Sequence, residues 1–204
     1  MEYYGSQSWW PGDSQFEVMI GAVLTQSAAW QNVEKAIYNL KNAGIMSPSA
    51  IRRVPIDELA LLIYSCGYHN AKALKLKALA SWLDEFCDDD LDRLFAFDTD
   101  NLRQKLLAVH GIGPETADSI LLYAGNKPVF VIDAYTCRII TRLGLAPEKD
   151  NYYNYQALFM GSLPHNTKLF NEYHALLVRL GKEVCRKKPV CYRCCLSGIC
   201  RFSA

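Results

Sequence analysis

Five of the eight cysteines lie in the last twenty residues, at Cys185, Cys191, Cys194, Cys195 and Cys200. Four of them follow the spacing C-x5-C-x2-C-x5-C. A disulfide framework needs cysteines spread along a chain, whereas four thiols within sixteen residues can wrap a single centre. Structural zinc sites use two C-x2-C knuckles set apart by a longer insert. Only Cys191 and Cys194 form such a knuckle here, and a compact all-cysteine loop suits a 4Fe–4S cluster better. Zinc and free thiols remain the alternatives on spacing alone. Cys195 is the spare, and Cys66, Cys87 and Cys137 read as small core residues inside helices. The same tail is basic: Arg179 to Ala204 holds seven basic residues and one acidic one, Glu183. Arg186, Lys187 and Lys188 lie between the first two cysteines, where a stiffened loop would present them to phosphates. The plain alternative is a solvated loop.

The remaining 184 residues must supply the core. Half of the whole chain is hydrophobic, and 22 basic against 21 acidic residues give a formal net charge of +1. That balance excludes a disordered polyelectrolyte but leaves room for a local nucleic-acid patch. No apolar run reaches the length of a membrane span. The first ten residues lack a basic segment followed by an apolar one, so no secretory signal is expected and the chain reads as cytoplasmic.

Apolar spacing gives short helices with clear stops. They run from Phe16 to Ser27 (with Asp13 or Ser14 as cap), from Trp30 to Asn42, after Ser47-Pro48, and from Asp57 to Cys66. A longer one runs from Asn70 to Phe86, with Ala71, Leu74, Ala78, Leu79, Trp82 and Phe86 as its apolar stripe. An acidic stretch from Asp84 to Asp100, with eight carboxylates and one arginine, reads as a solvated face turned away from any DNA. Further helices are expected over Asn101 to Val109, Glu115 to Ala124, Ala134 to Leu143, Tyr152 to Met160 and Lys168 to Lys182. The β-branched run Val129 to Ile132 is too short to change the class. The expected fold is all-α.

Two segments carry chemistry. Leu107-Ala-Val-His-Gly-Ile-Gly-Pro-Glu-Thr-Ala117 joins two helices through Gly111, Ile112 and Gly113, a turn whose backbone is unshielded and can hold phosphate. A plain helical turn is the alternative. Asp133 follows the apolar run and precedes a helix. It is a natural N-cap, and a fixed carboxylate emerging from apolar surroundings is also what glycosidic cleavage needs. His110, His165 and His174 have no metal-like spacing and read as structural.

Together these pieces resemble the endonuclease III, or HhH-GPD, superfamily of DNA glycosylases. The resemblance rests on the hairpin Leu107 to Ala117, on Val131-Ile-Asp-Ala-Tyr-Thr136 with Arg138 and Arg142, and on the cysteine tail. It runs in order from about Phe16 to Cys200. It implies two domains with a DNA cleft between them: a six-helix domain over 16–127, and a discontinuous cluster domain of 1–15 plus 128–204. It implies base flipping, Asp133 as the catalytic carboxylate, and a 4Fe–4S cluster on Cys185, Cys191, Cys194 and Cys200. The partner is double-stranded DNA with a damaged base, met by a monomer.

Two departures stand out. Members that cleave the strand carry a lysine in the hairpin, where this chain has Glu115; a carboxylate cannot form the Schiff base. The first cysteine gap is one residue shorter than the family's. The N-terminal part, Trp9-Trp10-Pro11, Phe16-Glu17-Val18, Leu24-Thr25-Gln26 and Trp30, is similar to the 3-methyladenine DNA glycosylase III branch. That likeness places Trp10 and Trp30 around the flipped base with Gln26 nearby. It suits electron-poor alkylated purines stacked on indoles. Gly67-Tyr68-His69-Asn70-Ala71-Lys72 is similar to a loop that wedges the duplex, with Tyr68 or His69 as the wedge. Glu115 and Thr116 lie on the DNA side of the hairpin in this reading.

The expected activity is therefore hydrolysis of an alkylated base, without strand cleavage. Alternatives are a bifunctional endonuclease III acting on oxidised pyrimidines, a thymine or uracil mismatch glycosylase, or a non-enzymatic iron–sulfur protein that binds DNA or senses redox state.

Overall fold

The computed structural model describes residues 3–7 and 9–202, and among them there is no strand. The chain divides into two compact units, Pro11–Asn126 and Met1–Trp10 with Lys127–Ala204.

The continuous unit begins with α1 (Gln15–Leu24), capped by Ser14, whose Oγ accepts from the Glu17 N–H at 3.1 Å. All but its first residue are buried, so this is the central helix of the unit. It is followed by α2 (Trp30–Asn42) and α3 (Pro48–Arg53), the latter capped by Ser47 with proline in its first turn. The expected helix Asp57 to Cys66 is two pieces, α4 (Ile56–Leu62) and a 3-10 turn at Tyr64–Cys66. Ile63 leaves helical geometry at φ −101°, ψ 13°, and re-aims the chain toward the next loop.

In α5 (His69–Cys87) the stripe differs from the one expected. Ala73, Leu76, Leu79, Ala80, Leu83 and Cys87 are buried, whereas Leu74 is 51% exposed. Two stripes were available in this sequence, and the helices packed against α5, chiefly α3 and α4, select the one carrying smaller residues. Trp82 and Phe86 stack on each other at 5.0 Å on a half-buried flank.

The acidic stretch is solvated, as expected, with Asp89 alone among its carboxylates half-buried, yet several of its carboxylates also build structure. Asp90 caps α6 (Leu91–Ala96) and Asp98 caps α7 (Thr99–Leu107). Asp84 and Asp89 pair with Arg52, and Asp88 with Arg93. The unit closes with α8 (Pro114–Ser119), which widens into a π-helical turn over Ile120–Ala124.

The second unit holds α9 (Ala134–Leu143), α10 (Tyr152–Ser162) and α11 (Thr167–Glu183). The run Val129 to Ile132 is extended and buried, without strand pairing. Its Phe130 is the core of the unit, stacked on Phe159 at 4.0 Å and edge-on to Phe170. Helices α9 and α11 cross closely because Gly181 lies against Tyr135; a Cβ there would come within 2.6 Å of the ring. Two 3-10 turns, Cys191–Arg193 and Ser197–Ile199, shape the tail. Cys66 and Cys87 are buried, as expected of small core residues, but Cys137 is only half-buried.

Candidate functional site

In the first unit, the site is built on the turn between α7 and α8. Gly111 has φ +81°, a left-handed conformation that favours glycine, and a Cβ there would meet the Lys75 side chain at 2.3 Å. Gly113 is different. Its backbone is extended (φ −93°, ψ 178°) and a Cβ would meet nothing within 4 Å. Ile112 is buried, and its N–H donates to the Val109 carbonyl, so it anchors the turn from inside. Glu115 is exposed, whereas Thr116 is buried.

Gln26, expected beside a base, has its amide engaged by this turn. Nε2 donates to the Gly111 carbonyl at 3.0 Å and to Thr116 Oγ1 at 2.9 Å, and Oε1 accepts from Lys75 Nζ. Gln26, Lys75, Gly111 and Thr116 thus form one polar knot joining the end of α1 to the hairpin. Behind the turn, Arg103 of α7 grips Asp118 of α8 with two bonds, at 2.6 and 2.9 Å, and Asp118 has no exposed surface.

The loop entering α5 holds Tyr68 in a left-handed conformation (φ 47°) with 76% of its surface exposed. His69 is half-buried, its ring 4.7 Å from that of Tyr64. A bulky residue at positive φ is costly and needs local support. Lys72 supplies some of it: although on a helix, it is 2% exposed, and Nζ donates to the carbonyls of Leu24 and Cys66 at 2.8 Å each. Burial lowers its pKa. A lysine in an amphipathic pattern reads as solvent-facing, so nothing in the sequence marked it. Trp30 opens α2 half-buried, with Nε1 donating to Glu34 at 2.8 Å.

In the second unit, Asp133 caps α9, and the Thr136 N–H donates to Oδ1 at 2.7 Å. Oδ2 faces His174 Nε2 of α11 at 3.6 Å, an ion-pair distance longer than a hydrogen bond. Burial works against the charged carboxylate, but His174 and Thr136 outweigh it and hold the carboxyl below its ordinary value. By sequence His174 reads as structural, because spacing along the chain does not reveal a partner brought in by another helix. Trp10 is half-buried, its ring edge-on to Trp9, and Lys182 Nζ lies 5.6 Å from the Trp9 ring.

Cys185, Cys191, Cys194 and Cys200 line one small cavity with Val184, Pro189, Phe202 and Arg142. Among the described residues, no three His, Cys, Asp or Glu side chains converge as a single-ion site. Cys195 is exposed. Arg142 organises this loop. Its Nη1 donates to Cys185 Sγ at 3.2 Å and to the Arg186 carbonyl at 2.7 Å, and Nη2 donates to the Lys187 carbonyl at 3.0 Å. Its own carbonyl accepts from Cys200 Sγ and from the Phe202 N–H. With their carbonyls held inward, Arg186 and Lys187, together with Lys188, are exposed.

The model of the HhH-GPD superfamily base excision DNA repair proteins matches residues 20–165. A protein of Methanocaldococcus jannaschii, carrying the provisional name of a DNA repair glycosylase, is 41% identical over 207 residues, covering 98% of this chain and 91% of its own. Endonuclease III of Sulfolobus acidocaldarius is 29% identical, with coverage of 92% and 82%. Among solved structures, the H. pylori 3-methyladenine DNA glycosylase bound to 1,N6-ethenoadenine matches with a TM-score of 0.75 and 28% identity, covering 88% of this chain and 90% of that one. The all-helical architecture agrees with these matches, and the chain belongs to the HhH-GPD superfamily of base excision DNA repair glycosylases, the enzymes built on the endonuclease III fold.

Proposed function

We propose that this protein is a monofunctional DNA glycosylase that hydrolyses the N-glycosidic bond of a flipped-out alkylated purine resembling 3-methyladenine. The observation that carries the reading is the combination of a buried, ionised Asp133 with an exposed carboxylate, Glu115, at the hairpin position where strand-cleaving members hold a lysine. As the glycosidic bond lengthens, the sugar develops positive charge. An ionised carboxylate can stabilise that charge and orient a water against it. Glu115 has no amine with which to attack the sugar, so the reaction stops at an abasic site.

Trp10 and Trp30 are the stacking residues in this reading, since electron-poor alkylated purines bind well to indole faces. Gln26 contributes by bracing the hairpin, because its amide is engaged there. The backbone of Gly111 and Gly113 holds phosphate, with Ile112 as the buried anchor. Tyr68, exposed and fixed in its left-handed conformation, is the wedge in preference to His69. Arg186, Lys187 and Lys188 add phosphate contacts.

The cysteine cavity fits a 4Fe–4S cluster. Four thiols line one small cavity, and a compact all-cysteine loop supports a multi-iron group over a single zinc ion. Bound there, the cluster would tie the tail together and stiffen the basic loop.

The test is base release from methylated duplex DNA, with the freed bases identified by chromatography and a borohydride-trapping arm alongside. Free 3-methyladenine with no trapped adduct is the expected result. Trapping or strand cleavage on DNA carrying oxidised pyrimidines, without alkyl-base release, would replace this reading with the activity of the endonuclease III relatives. Iron with acid-labile sulfide in the purified protein is expected, and stoichiometric zinc would overturn the cluster assignment.

A further inference from the structure

A capping aspartate normally stands in water, satisfied by the N–H groups of the first helical turn. Asp133 does not. Its side chain is 13% exposed, and the oxygen not used in capping faces His174, itself 6% exposed and edge-on to Phe130. Burying two ionisable groups together is costly, and capping does not require it. The pair is also long-range: His174 comes from the middle of α11, whose close crossing with α9 at Gly181 brings it there.

We propose that His174 is a positioning residue for Asp133, fixing the direction of its free oxygen and holding the carboxylate in its charged form against the cost of burial. The inference rests on the reading of Asp133 as the catalytic carboxylate. The other polar groups on the neighbouring elements are turned elsewhere. On α9, Arg138 donates to the carbonyls of Gly181 and Cys185. On α11, Glu172 takes Ser6 and the Gln7 N–H, and Arg179 takes Glu183, Gln7 and the Tyr4 carbonyl. Tyr173 packs against Phe130 and Phe159. From α10, the Tyr152 hydroxyl meets the Ile132 N–H. His174 is therefore the side chain that α11 sets against Asp133, beside the Thr136 N–H bond.

The experiment follows single-turnover base release from methylated duplex DNA between about pH 2.5 and about pH 8, against a no-enzyme control at each pH. Wild type is compared with His174→Leu, which removes the imidazole, and His174→Gln, which keeps a side-chain donor. In wild type the acid limb lies below the ordinary carboxylate range. In His174→Leu burial goes unopposed by charge, and the limb moves up by about 1 to 3 pH units. His174→Gln falls between the two. A uniform loss of rate with coincident limbs would show a merely structural histidine and overturn the proposal.

A readout independent of activity accompanies it. A double-mutant cycle of His174→Leu with Asp133→Asn, measured by urea unfolding near neutral pH, is expected to show coupling. If no variant or wild type releases any base, the cycle decides. Coupling then upholds the pair while the glycosylase reading of Asp133 fails, and additivity overturns the pair as well.

Discussion

At the scale of single residues, the proposed chemistry depends on a group whose surroundings oppose its ordinary behaviour. Asp133 is buried yet held ionised. Because its folded-state pKa is lowered, it contributes stability that is present above the unfolded carboxyl's value and is lost as pH falls through the folded one. Urea unfolding should therefore show the stability gap between wild type and Asp133→Asn shrinking on acidification below about pH 4. The same substitution should abolish base release while leaving DNA binding intact. Arg103 and Asp118 form another ion pair, in which Asp118 is fully buried. Arg103→Leu removes both charge-assisted bonds to the buried Asp118 carboxylate and is expected to cost about 3–5 kcal/mol in chemical unfolding. Asp133 was legible in the sequence because a cap residue after an apolar run has a local signature. His174 and Lys72 were not, because their partners are set by helices that meet only in the folded chain.

At the scale of elements, the two hairpin glycines look equivalent in sequence and are not. Gly111 is left-handed and roofed by Lys75, whereas Gly113 is extended with open space beside it. Gly111→Ala should destabilise the protein by about 1–2 kcal/mol and weaken DNA binding, while Gly113→Ala should leave stability within experimental error. Thermal unfolding and DNA titration of the two variants check this. The caps of α1, α3 and α9 could be read from single residues, since capping needs only a side-chain oxygen and a nearby N–H, whereas the caps Asp90 and Asp98 were hidden within the acidic run. The buried face of α5 could not. Its sequence holds two apolar stripes, and the choice between them belongs to the helices packed on it.

At the scale of the whole molecule, a net charge of +1 gives no general attraction to DNA, so binding must come from local groups. Neutralising Arg186, Lys187 and Lys188 together should lower affinity for damaged and undamaged duplex alike. The slope of log K against log salt should become shallower by about 0.9 for each phosphate that the variant no longer neutralises. A weakening confined to damaged DNA would assign these residues to recognition of the lesion instead.

The sequence by itself determined the all-helical class, most helix starts, the capping aspartate and the clustering of four cysteines, because each follows from local spacing or from neighbours within one turn. Only the tertiary structure decided that Gln26 braces the hairpin, that Arg142 gathers the cysteine loop, and that His174 faces Asp133. Those interactions join residues far apart in the chain, and their geometry is fixed by how helices pack, which no local pattern encodes.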